Sequence, residues 1–336
     1  MNTYAYTDAM TSDDVTHVSK RTPDLTSVTV VGAGYMGMGI AQVLAIHGAN
    51  VTVLDKSHEI AVAAVTRGRR EVEGYERRGL VAPGAAERVA ASVSAEADFP
   101  RALQAADMIV EAVSEELSLK HEVLGRVAEH ASREALITSN TSSIPIGRLA
   151  AGLPHPDRVM GVHWFNPAMF VPGVEIIPTA ETDSGAITRV QELLRAAGKY
   201  PVVVGDSPGF VANRLQFALF REAALLVEEG VADPAQVDQL VRTTFGYRLP
   251  FFGPFQIADM AGLDVYAGAY TTLSEAFGDR FATPGSLQEL VTGGRTGFKS
   301  DRGGYTRLTA EEQRDLIDRR DESYQALGHL MRDQRS

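Results

Sequence analysis

The chain has 336 residues, of which 44% are hydrophobic, and it carries no cysteine and a formal net charge of −11. The lack of cysteine excludes disulfides, thiolate nucleophiles and zinc–thiolate sites, and the acidic charge argues against sequence-independent binding of nucleic acid, which needs clustered Lys and Arg. No apolar run approaches the ~18–20 residues that span a bilayer, so we expect a soluble, cytoplasmic protein of two domains that acts on a small molecule.

The first 24 residues, MNTYAYTDAMTSDDVTHVSKRTPD, are polar and lack the apolar region of a secretion signal. They predict a disordered leader. From residue 25 to 205 apolar β runs alternate with helical patterns, which predicts an α/β domain with a mostly parallel, doubly wound sheet. A long helical stretch between Ser57 and Ala91, broken by RRGLVAPG, predicts a helix pair inserted after the second strand. The later β runs are 107–113, 134–140, 157–165, 173–179 and 200–205.

After GDSPG (205–209) the pattern becomes helical throughout. We predict helices at 209–230, at 232–246, at about 254–277 and near the C-terminus. The second of these has the signals of a helix start, with Asp233 as N-cap, proline in the first turn and a glutamine that completes a capping box. The sequence therefore predicts a separate all-α domain over 206–336.

Three glycines, Gly32, Gly34 and Gly37, form G-x-G-x-x-G between a predicted strand and a predicted helix. This context predicts a dinucleotide site: the glycines permit a tight turn, close approach of a pyrophosphate and close packing of helix on strand. Asp55 at the end of the second strand is placed to accept hydrogen bonds from ribose hydroxyls. Its charge favours NAD over NADP, although the neighbouring Lys56 weakens that preference.

GVHWFNPAMFVPGVEIIPT (161–179) places a histidine and a glutamate in strand-like apolar segments. Two strands joined by the NPAMFVP turn would bring His163 and Glu175 side by side. A histidine held by a carboxylate suits the general base that hydride transfer from a carbinol requires. The alternative is a hydrogen-bonded core histidine and an unrelated surface glutamate.

SNTSS (139–143), HWFNP (163–167) and DSPGFVANRL (206–215) together resemble the 3-hydroxyacyl-CoA dehydrogenase family from about residue 26 to 306. The resemblance implies an NAD-dependent enzyme without a metal, with His163 as base paired with Glu175, and a homodimer formed through the helical domain. The catalytic residues that it implies are His163, Glu175, Ser142 and Asn213. The substrate-binding residues are Ser142, Asn166, Asn213 and Arg78. The cofactor-binding residues are Gly32, Gly34, Tyr35, Met36, Gly37, Asp55, Glu115, Lys120, Asn140 and Lys299.

Some of these assignments have structural alternatives. Ser142 is equally able to cap a helix starting near Ile144, and Asn213 to bond to the backbone of its own helix. Neutral donors at both positions would nevertheless suit an oxygen that gains partial negative charge.

The substrate is less defined than the chemistry. Counting from Asp55, the positions that meet CoA in the family carry Glu71, which repels phosphate, and Arg78, which attracts it. A solvated amphipathic helix explains the arginine-rich segment 67–78 equally well. GYRLPFFGPF (246–255) is two residues longer than the short-chain acyl-CoA pattern and looks more like the branch that includes L-gulonate 3-dehydrogenase. KSDRGGY (299–305) departs from the usual motif, with Asp301 and Gly304 in place of Gly and Phe. We expect oxidation of an L-3-hydroxyacyl-CoA, with a free 3-hydroxy acid or a catalytically silent nucleotide-binding relative as alternatives.

Overall fold

The structure, a computed structural model, describes residues 25–333. The predicted leader lies outside these residues. The described chain divides into two compact units, an α/β unit of residues 25–220 and a helical unit of residues 221–333. The division falls farther along the chain than the predicted boundary near Asp206, and the domain limits stay a prediction. No helix among residues 25–333 combines the length and the apolar character needed to cross a membrane.

The α/β unit is built on an eight-stranded sheet with the order β3-β2-β1-β4-β5-β6-β7-β8. All neighbouring strands run parallel except β6 and β7, which are antiparallel. The mostly parallel, doubly wound sheet predicted from the sequence is confirmed. The strands are β1 Ser27–Val31, β2 Asn50–Leu54, β3 Val93–Ala95, β4 Met108–Glu111, β5 Leu136–Ser139, β6 Val159–Trp164, β7 Gly173–Pro178 and β8 Tyr200–Val203.

Helices cover this sheet, and a short 3₁₀ turn at Pro156–Arg158 precedes β6. The inserted helix pair predicted between β2 and the next strands is present as α2 and α3. The helices of this unit, in chain order, are α1 Tyr35–Ile46, α2 His58–Arg77, α3 Ala85–Ser92, α4 Phe99–Gln104, α5 Leu117–His130, α6 Ile146–Ala150, α7 Ser184–Ala196 and the start of α8 Ala212–Glu228.

The central strands are buried along their whole length, because helices lie on both faces of the sheet. Strands β4, β5 and β6 contain no exposed residue. Their side chains divide between two apolar clusters that contain alternate residues, such as Met108 and Val110 in one and Ile109 in the other. The layered core therefore fixes the C-terminal ends of the parallel strands at one edge of the sheet, where polar side chains gather.

The helical unit confirms the predicted start of α9 Pro234–Thr243, where Asp233 and Gln236 form a capping box. The single helix expected over 254–277 is wrong: α10 Pro254–Ala261 and α11 Leu263–Phe277 are separated at Gly262, whose φ of 103° no helix accommodates. One helix of this unit, Gly285–Thr292, is not among those predicted from the sequence. The remaining elements are α12 Gly285–Thr292, α13 Ala310–Asp333 and 3₁₀ turns at Gly278–Phe281 and Gly297–Lys299.

Candidate active site

The three glycines of the turn after β1 meet three different demands. A Cβ on Gly32, whose φ is +110°, would lie 2.5 Å from the carbonyl oxygen of Ala112, the residue that follows β4. A Cβ on Gly37 would lie 1.9 Å from the Gly32 oxygen, so α1 sits too close to the turn for any side chain. At Gly34 an added Cβ would meet nothing within 4 Å. The first and third glycines are therefore needed by the fold, whereas the second leaves open space for a ligand.

Helix α1 begins directly at this open space. Its N-cap is Gly34, no side chain caps its first amides, and its first turn holds no acidic residue. The Asp55 carboxylate lies beside the turn, accepting hydrogen bonds from the Ala33 amide at 2.7 Å and from the Lys56 amide at 2.7 Å. Unbonded helix amides attract phosphate oxygens, and a carboxylate at the end of the second strand accepts ribose hydroxyls. These residues fit a dinucleotide.

His163 and Glu175 face each other across the antiparallel pair β6 and β7, in direct register. The imidazole Nδ1 lies 2.8 Å from a carboxylate oxygen of Glu175, and the histidine is only 3% exposed. The rings of Phe165 and Phe210 lie against the imidazole, with centroids at 4.4 and 5.8 Å. Within residues 25–333 no protein group bonds to Nε2. One ring nitrogen is therefore held by a carboxylate while the other remains available.

The Glu175 carboxylate bonds to three residues at once. One oxygen bonds to His163, and the other accepts the amides of Val211 and Ala212 at 3.0 and 2.9 Å, at the start of α8. Burial raises the pKa of the Glu175 carboxyl, but the hydrogen bonds from His163 and the two amides hold it below its usual value. The group is therefore a carboxylate at neutral pH, able to stabilise a positive charge on the imidazole.

Asn213 follows these amides in the first turn of α8. Its Nδ2 donates to the Ser142 carbonyl oxygen at 2.8 Å, so two residues far apart in the chain are brought into contact. Asn213 therefore does not bond to its own helix, the structural alternative considered from the sequence. Ser142 is not a helix cap either, because α6 starts at Ile146 and its first amides bond to the Asp206 carboxylate.

Glu115 organises the SNTSS segment. One of its oxygens accepts hydrogen bonds from the Thr141 hydroxyl and from the Ser142 and Ser143 amides, at 2.7 to 3.0 Å. Burial raises the pKa of the Glu115 carboxyl, and the Thr141 hydroxyl, the Lys120 charge and the two amides bring it below its usual value. Asn140 at the start of the segment accepts the Trp164 amide at 2.9 Å, which links the segment to the histidine strand.

A buried ion pair lies beneath this segment. The Lys120 ammonium, 1% exposed, lies 2.7 Å from the fully buried Glu111 carboxylate and 3.4 Å from Glu115. Glu111 also accepts the Ser139 hydroxyl at 2.5 Å and the Val113 amide at 2.8 Å. Lys120 thus holds Glu111 and Glu115 in place. Its direct contact with the cofactor stays a prediction.

The remaining predicted site residues differ in exposure and lie on different elements. Tyr35 is exposed at the start of α1, whereas Met36 packs against the core. Asn166 is exposed after β6, at a cis bond to Pro167, and no protein group among residues 25–333 bonds to its side chain. Lys299 belongs to the helical unit, where its ammonium lies 3.1 Å from an Asp264 oxygen.

The two positions counted from Asp55, Glu71 on α2 and Arg78 directly after its end, differ in their surroundings. The Glu71 carboxylate accepts the buried Gln42 side-chain amide at 3.1 Å, and the exposed Arg78 guanidinium lies over the Tyr75 ring at 5.4 Å. Tyr75 in turn makes an edge contact at 5.1 Å with Phe170 of the turn between β6 and β7. Glu71 is thus occupied within the fold, while Arg78 presents its charge outward.

Sequence reasoning missed three polar residues that support the site. Glu111 was visible as a charged residue in the β run DMIVEAV, which is the usual sign of a paired buried group. Asp206 accepts the Ile146 and Gly147 amides at 2.8 and 2.7 Å and so caps α6 from a distant part of the chain. Lys199, which precedes β8, carried no signal in its local pattern. No group of three or more His, Asp or Glu side chains in the described chain is placed to hold a metal ion.

Comparison with known proteins gives the family. Residues 27–207 match the family model described as 3-hydroxyacyl-CoA dehydrogenase, NAD binding domain, and residues 209–307 match that of the C-terminal domain. The chain is 33% identical over 303 residues, 87% of its length and 96% of the relative's, to a 5-formyl-3-hydroxy-2-methylpyridine 4-carboxylate 5-dehydrogenase of Mesorhizobium japonicum.

Two further relatives carry CoA substrates in their names. The chain is 36% identical to a 3-hydroxyadipyl-CoA dehydrogenase of Escherichia coli, over 83% of the chain and 58% of that protein. It is 32% identical to a solved (S)-3-hydroxybutyryl-CoA dehydrogenase of Ralstonia eutropha, with a TM-score of 0.63 and coverage of 85% and 100%. The chain belongs to the 3-hydroxyacyl-CoA dehydrogenase family and is an oxidoreductase that uses NAD.

Proposed function

We propose that the protein oxidises the hydroxyl of an L-3-hydroxyacyl-CoA to the 3-oxo compound, and catalyses the reverse reaction, with His163 as the general base. The observation that carries this proposal is the 2.8 Å contact between His163 Nδ1 and Glu175, combined with an Nε2 that no described protein group occupies. A base of this kind must have one nitrogen fixed and one free.

In the oxidation, His163 Nε2 accepts the hydroxyl proton of the substrate. Glu175 holds the Nδ1 proton, which fixes the tautomer, and its negative charge stabilises the imidazolium that results. Bound NAD supplies the hydride acceptor. The phenyl rings of Phe165 and Phe210 exclude water from around the imidazole, which strengthens its interaction with the carboxylate.

Ser142 and Asn213 would hold the oxygen atoms of the substrate. Only one of the two amide hydrogens of Asn213 is used on the Ser142 carbonyl, which leaves one donor for a ligand. The Ser142 hydroxyl makes no hydrogen bond to the described residues. Both are neutral donors, so they stabilise partial negative charge on a carbinol or carbonyl oxygen without competing for the proton.

The surface near α2 supports a substrate that combines a planar ring with an anion. Arg78 stacked on Tyr75, with the exposed Phe170 at the edge of the same ring, offers a cation and apolar faces together. An adenosine 3′-phosphate of CoA has both features.

A second candidate is a free acid that carries no CoA, such as L-gulonate or a pyridine carboxylate. Glu71 lies beside this surface and favours a free acid, because a carboxylate there repels the phosphate of CoA. The pyridine carboxylate in the name of the Mesorhizobium japonicum relative also favours a free acid. The third alternative, a silent nucleotide-binding relative, is disfavoured by the assembled His163–Glu175 pair.

Steady-state NADH formation with three substrates separates these candidates. The arms are L-3-hydroxybutyryl-CoA, L-gulonate and 5-formyl-3-hydroxy-2-methylpyridine 4-carboxylate, each with NAD. We expect a kcat/KM for the thioester at least ~100-fold above the others, about 2.7 kcal/mol of transition-state preference. Turnover of a free acid alone would overturn the thioester assignment, and no turnover in any arm would favour the silent relative.

Arg78→Gln tests the thioester assignment from the protein side. It should raise the KM for the thioester about tenfold, as the loss of one exposed contact to phosphate would, and leave the KM for any free acid unchanged. Arg77→Gln is the matched control, since Arg77 is the neighbouring exposed arginine and the last residue of α2. Equal effects of the two substitutions would remove Arg78 from substrate binding.

We also propose a homodimer formed through helical-unit surfaces. This unit exposes large apolar side chains, among them Leu240, Phe255, Val265 and Phe277. Monomeric soluble proteins rarely expose many such side chains together, and a second copy of the chain would bury them. Sedimentation at micromolar concentration should give twice the mass of the 36.2 kDa chain. A monomer would contradict this proposal.

A further inference from the structure

Lys199 is a buried cation without a counter-ion. It lies between α7 and β8, is 6% exposed, and forms no ion pair with any carboxylate among residues 25–333. Burial lowers the pKa of its ammonium to about 8. Such a group is retained only where its donors meet acceptors that would otherwise stay unbonded.

The acceptors belong to the turn segment, residues 165–172, which joins β6 to β7. The Lys199 ammonium lies 2.5 Å from the Ala168 carbonyl oxygen and 2.9 Å from that of Val171. It also lies 5.6 Å from the ring centroid of Trp164, the last residue of β6. One side chain thus bonds to the turn segment twice and contacts the strand from which the segment emerges.

Lys199 itself is fixed on both sides. Gly198, with a φ of +70°, ends α7, and the Lys199 amide donates to the Leu194 oxygen at 2.9 Å, which closes the helix. The next residue, Tyr200, starts β8 and donates to the Pro172 oxygen at 2.9 Å. The ammonium is therefore held from a rigid helix–strand junction.

The turn segment touches the parts of the protein that meet cofactor and substrate. The Ala168 methyl lies against α1, close enough that a Cβ on Gly39 would be 3.2 Å away. Phe170 contacts Tyr75 of α2, and Asn166, assigned to the substrate pocket, stands at the start of the segment. A shift of this segment would move Asn166 relative to the histidine and to α1.

We propose that Lys199 is a positioning residue, which holds the turn segment against α1 so that Asn166 and His163 keep their places around the reacting hydroxyl. This rests on the proposed function. Lys199 is buried and acts through the Ala168 and Val171 carbonyls.

The test compares Lys199→Met, which keeps length and removes all donors, with Lys199→Arg, which keeps charge and donors. Lys199→Met should lower kcat/KM at least tenfold, mainly through a higher KM for the hydroxy substrate, and Lys199→Arg should restore most of it. Val190→Ala, a buried residue of α7, serves as the control for stability: it should lower Tm comparably and leave KM unchanged.

Unchanged kcat and KM in Lys199→Met, or an equal kinetic loss in Val190→Ala at equal Tm, would overturn the proposal. If Lys199→Met does not fold, Lys199→Gln replaces it, since glutamine keeps a donor for one carbonyl. It should lower kcat/KM by a smaller factor, again mainly through a higher KM. An unchanged KM would refute the proposal. A wild-type enzyme inactive on every substrate defeats the proposed function instead, which separates the two failures.

Trp164 provides a measurement that needs no turnover, since the chain contains one tryptophan. Its emission should titrate with a midpoint near pH 8 in the wild type and lose this transition in Lys199→Met and Lys199→Arg. The other charged and titratable groups on the surrounding elements are the same in all three proteins, so a transition that both variants lose belongs to Lys199; these groups are His47, Tyr75, His163, Glu175, Arg195 and Tyr200. An emission that responds to pH in the same way in the wild type and in Lys199→Met would refute the placement of Lys199 against Trp164.

Discussion

Glu175→Gln is the most informative substitution, because the carboxylate accepts hydrogen bonds from three donors and glutamine offers one acceptor oxygen. The donors are the His163 ring and the Val211 and Ala212 amides. If the glutamine oxygen faced the ring, two buried amides would meet an NH₂ group, at a cost of about 1–3 kcal/mol each. We therefore expect the oxygen to stay on the amides and the NH₂ to face Nδ1.

In that orientation Nδ1 must become the acceptor, and the proton moves to Nε2. The nitrogen that should take the substrate proton then already carries one, and the charge that stabilises the imidazolium is gone. Both losses fall on the chemical step, so kcat should drop about 10²–10⁴-fold, or about 3–5 kcal/mol, with KM nearly unchanged.

The assay is steady-state NADH formation across pH 6 to 10 with the best of the three substrates. Glu181→Gln makes the same change of charge on an exposed residue just beyond β7 and should behave as wild type. A kcat for Glu175→Gln within threefold of wild type, with an unaltered pH profile, would refute the assignment of His163 as a base that depends on Glu175.

Three other outcomes follow from the same geometry. His163→Ala should lower kcat about 10²–10⁴-fold while Tm and NAD binding stay near wild type, and an unchanged rate would remove the histidine from the general-base role. Gly37→Ala should lower Tm by several degrees, because its Cβ would lie 1.9 Å from the Gly32 oxygen. Gly34→Ala should keep the wild-type Tm and weaken NAD binding about tenfold, as measured by calorimetry. Two variants with the same Tm and the same affinity for NAD would contradict both roles. Acid should destabilise the fold, because the lowered pKa values of Glu175 and Glu115 contribute stability that is present above pH 4.5 and is lost as pH falls through their folded values. Urea unfolding from pH 7 down to pH 3 measures this loss, and Glu175→Gln should reduce its slope below pH 4.5.

The sequence predicts those parts of the site that are local in the chain. The glycine turn spans six residues, and the histidine and glutamate lie on consecutive strands whose short connection forces an antiparallel pair. Asp55 ends a clear apolar β run. In each case one continuous segment contains both the sequence pattern and the residues that it brings together.

The rest depends on contacts between distant segments, which no local pattern encodes. Asn213 meets Ser142 across 71 residues, and Glu111 meets Ser139 across 28. Strand β3 has only three residues, too few for an alternating pattern to register. The break at Gly262 was missed because its apolar neighbours continue the helical spacing through it.

The shared carboxylate at position 175 also limits what can replace it. Aspartate is shorter by one methylene and cannot reach the His163 ring on one side and the start of α8 on the other. Glutamine can bond to both, but it forces Nδ1 to accept and lacks the negative charge. Ile176 and Ile177, which follow it on β7, belong to the two apolar clusters of the core and can exchange with side chains of similar volume. Substitutions are therefore tolerated beside position 175 in this strand, whereas position 175 itself requires a long, negatively charged side chain.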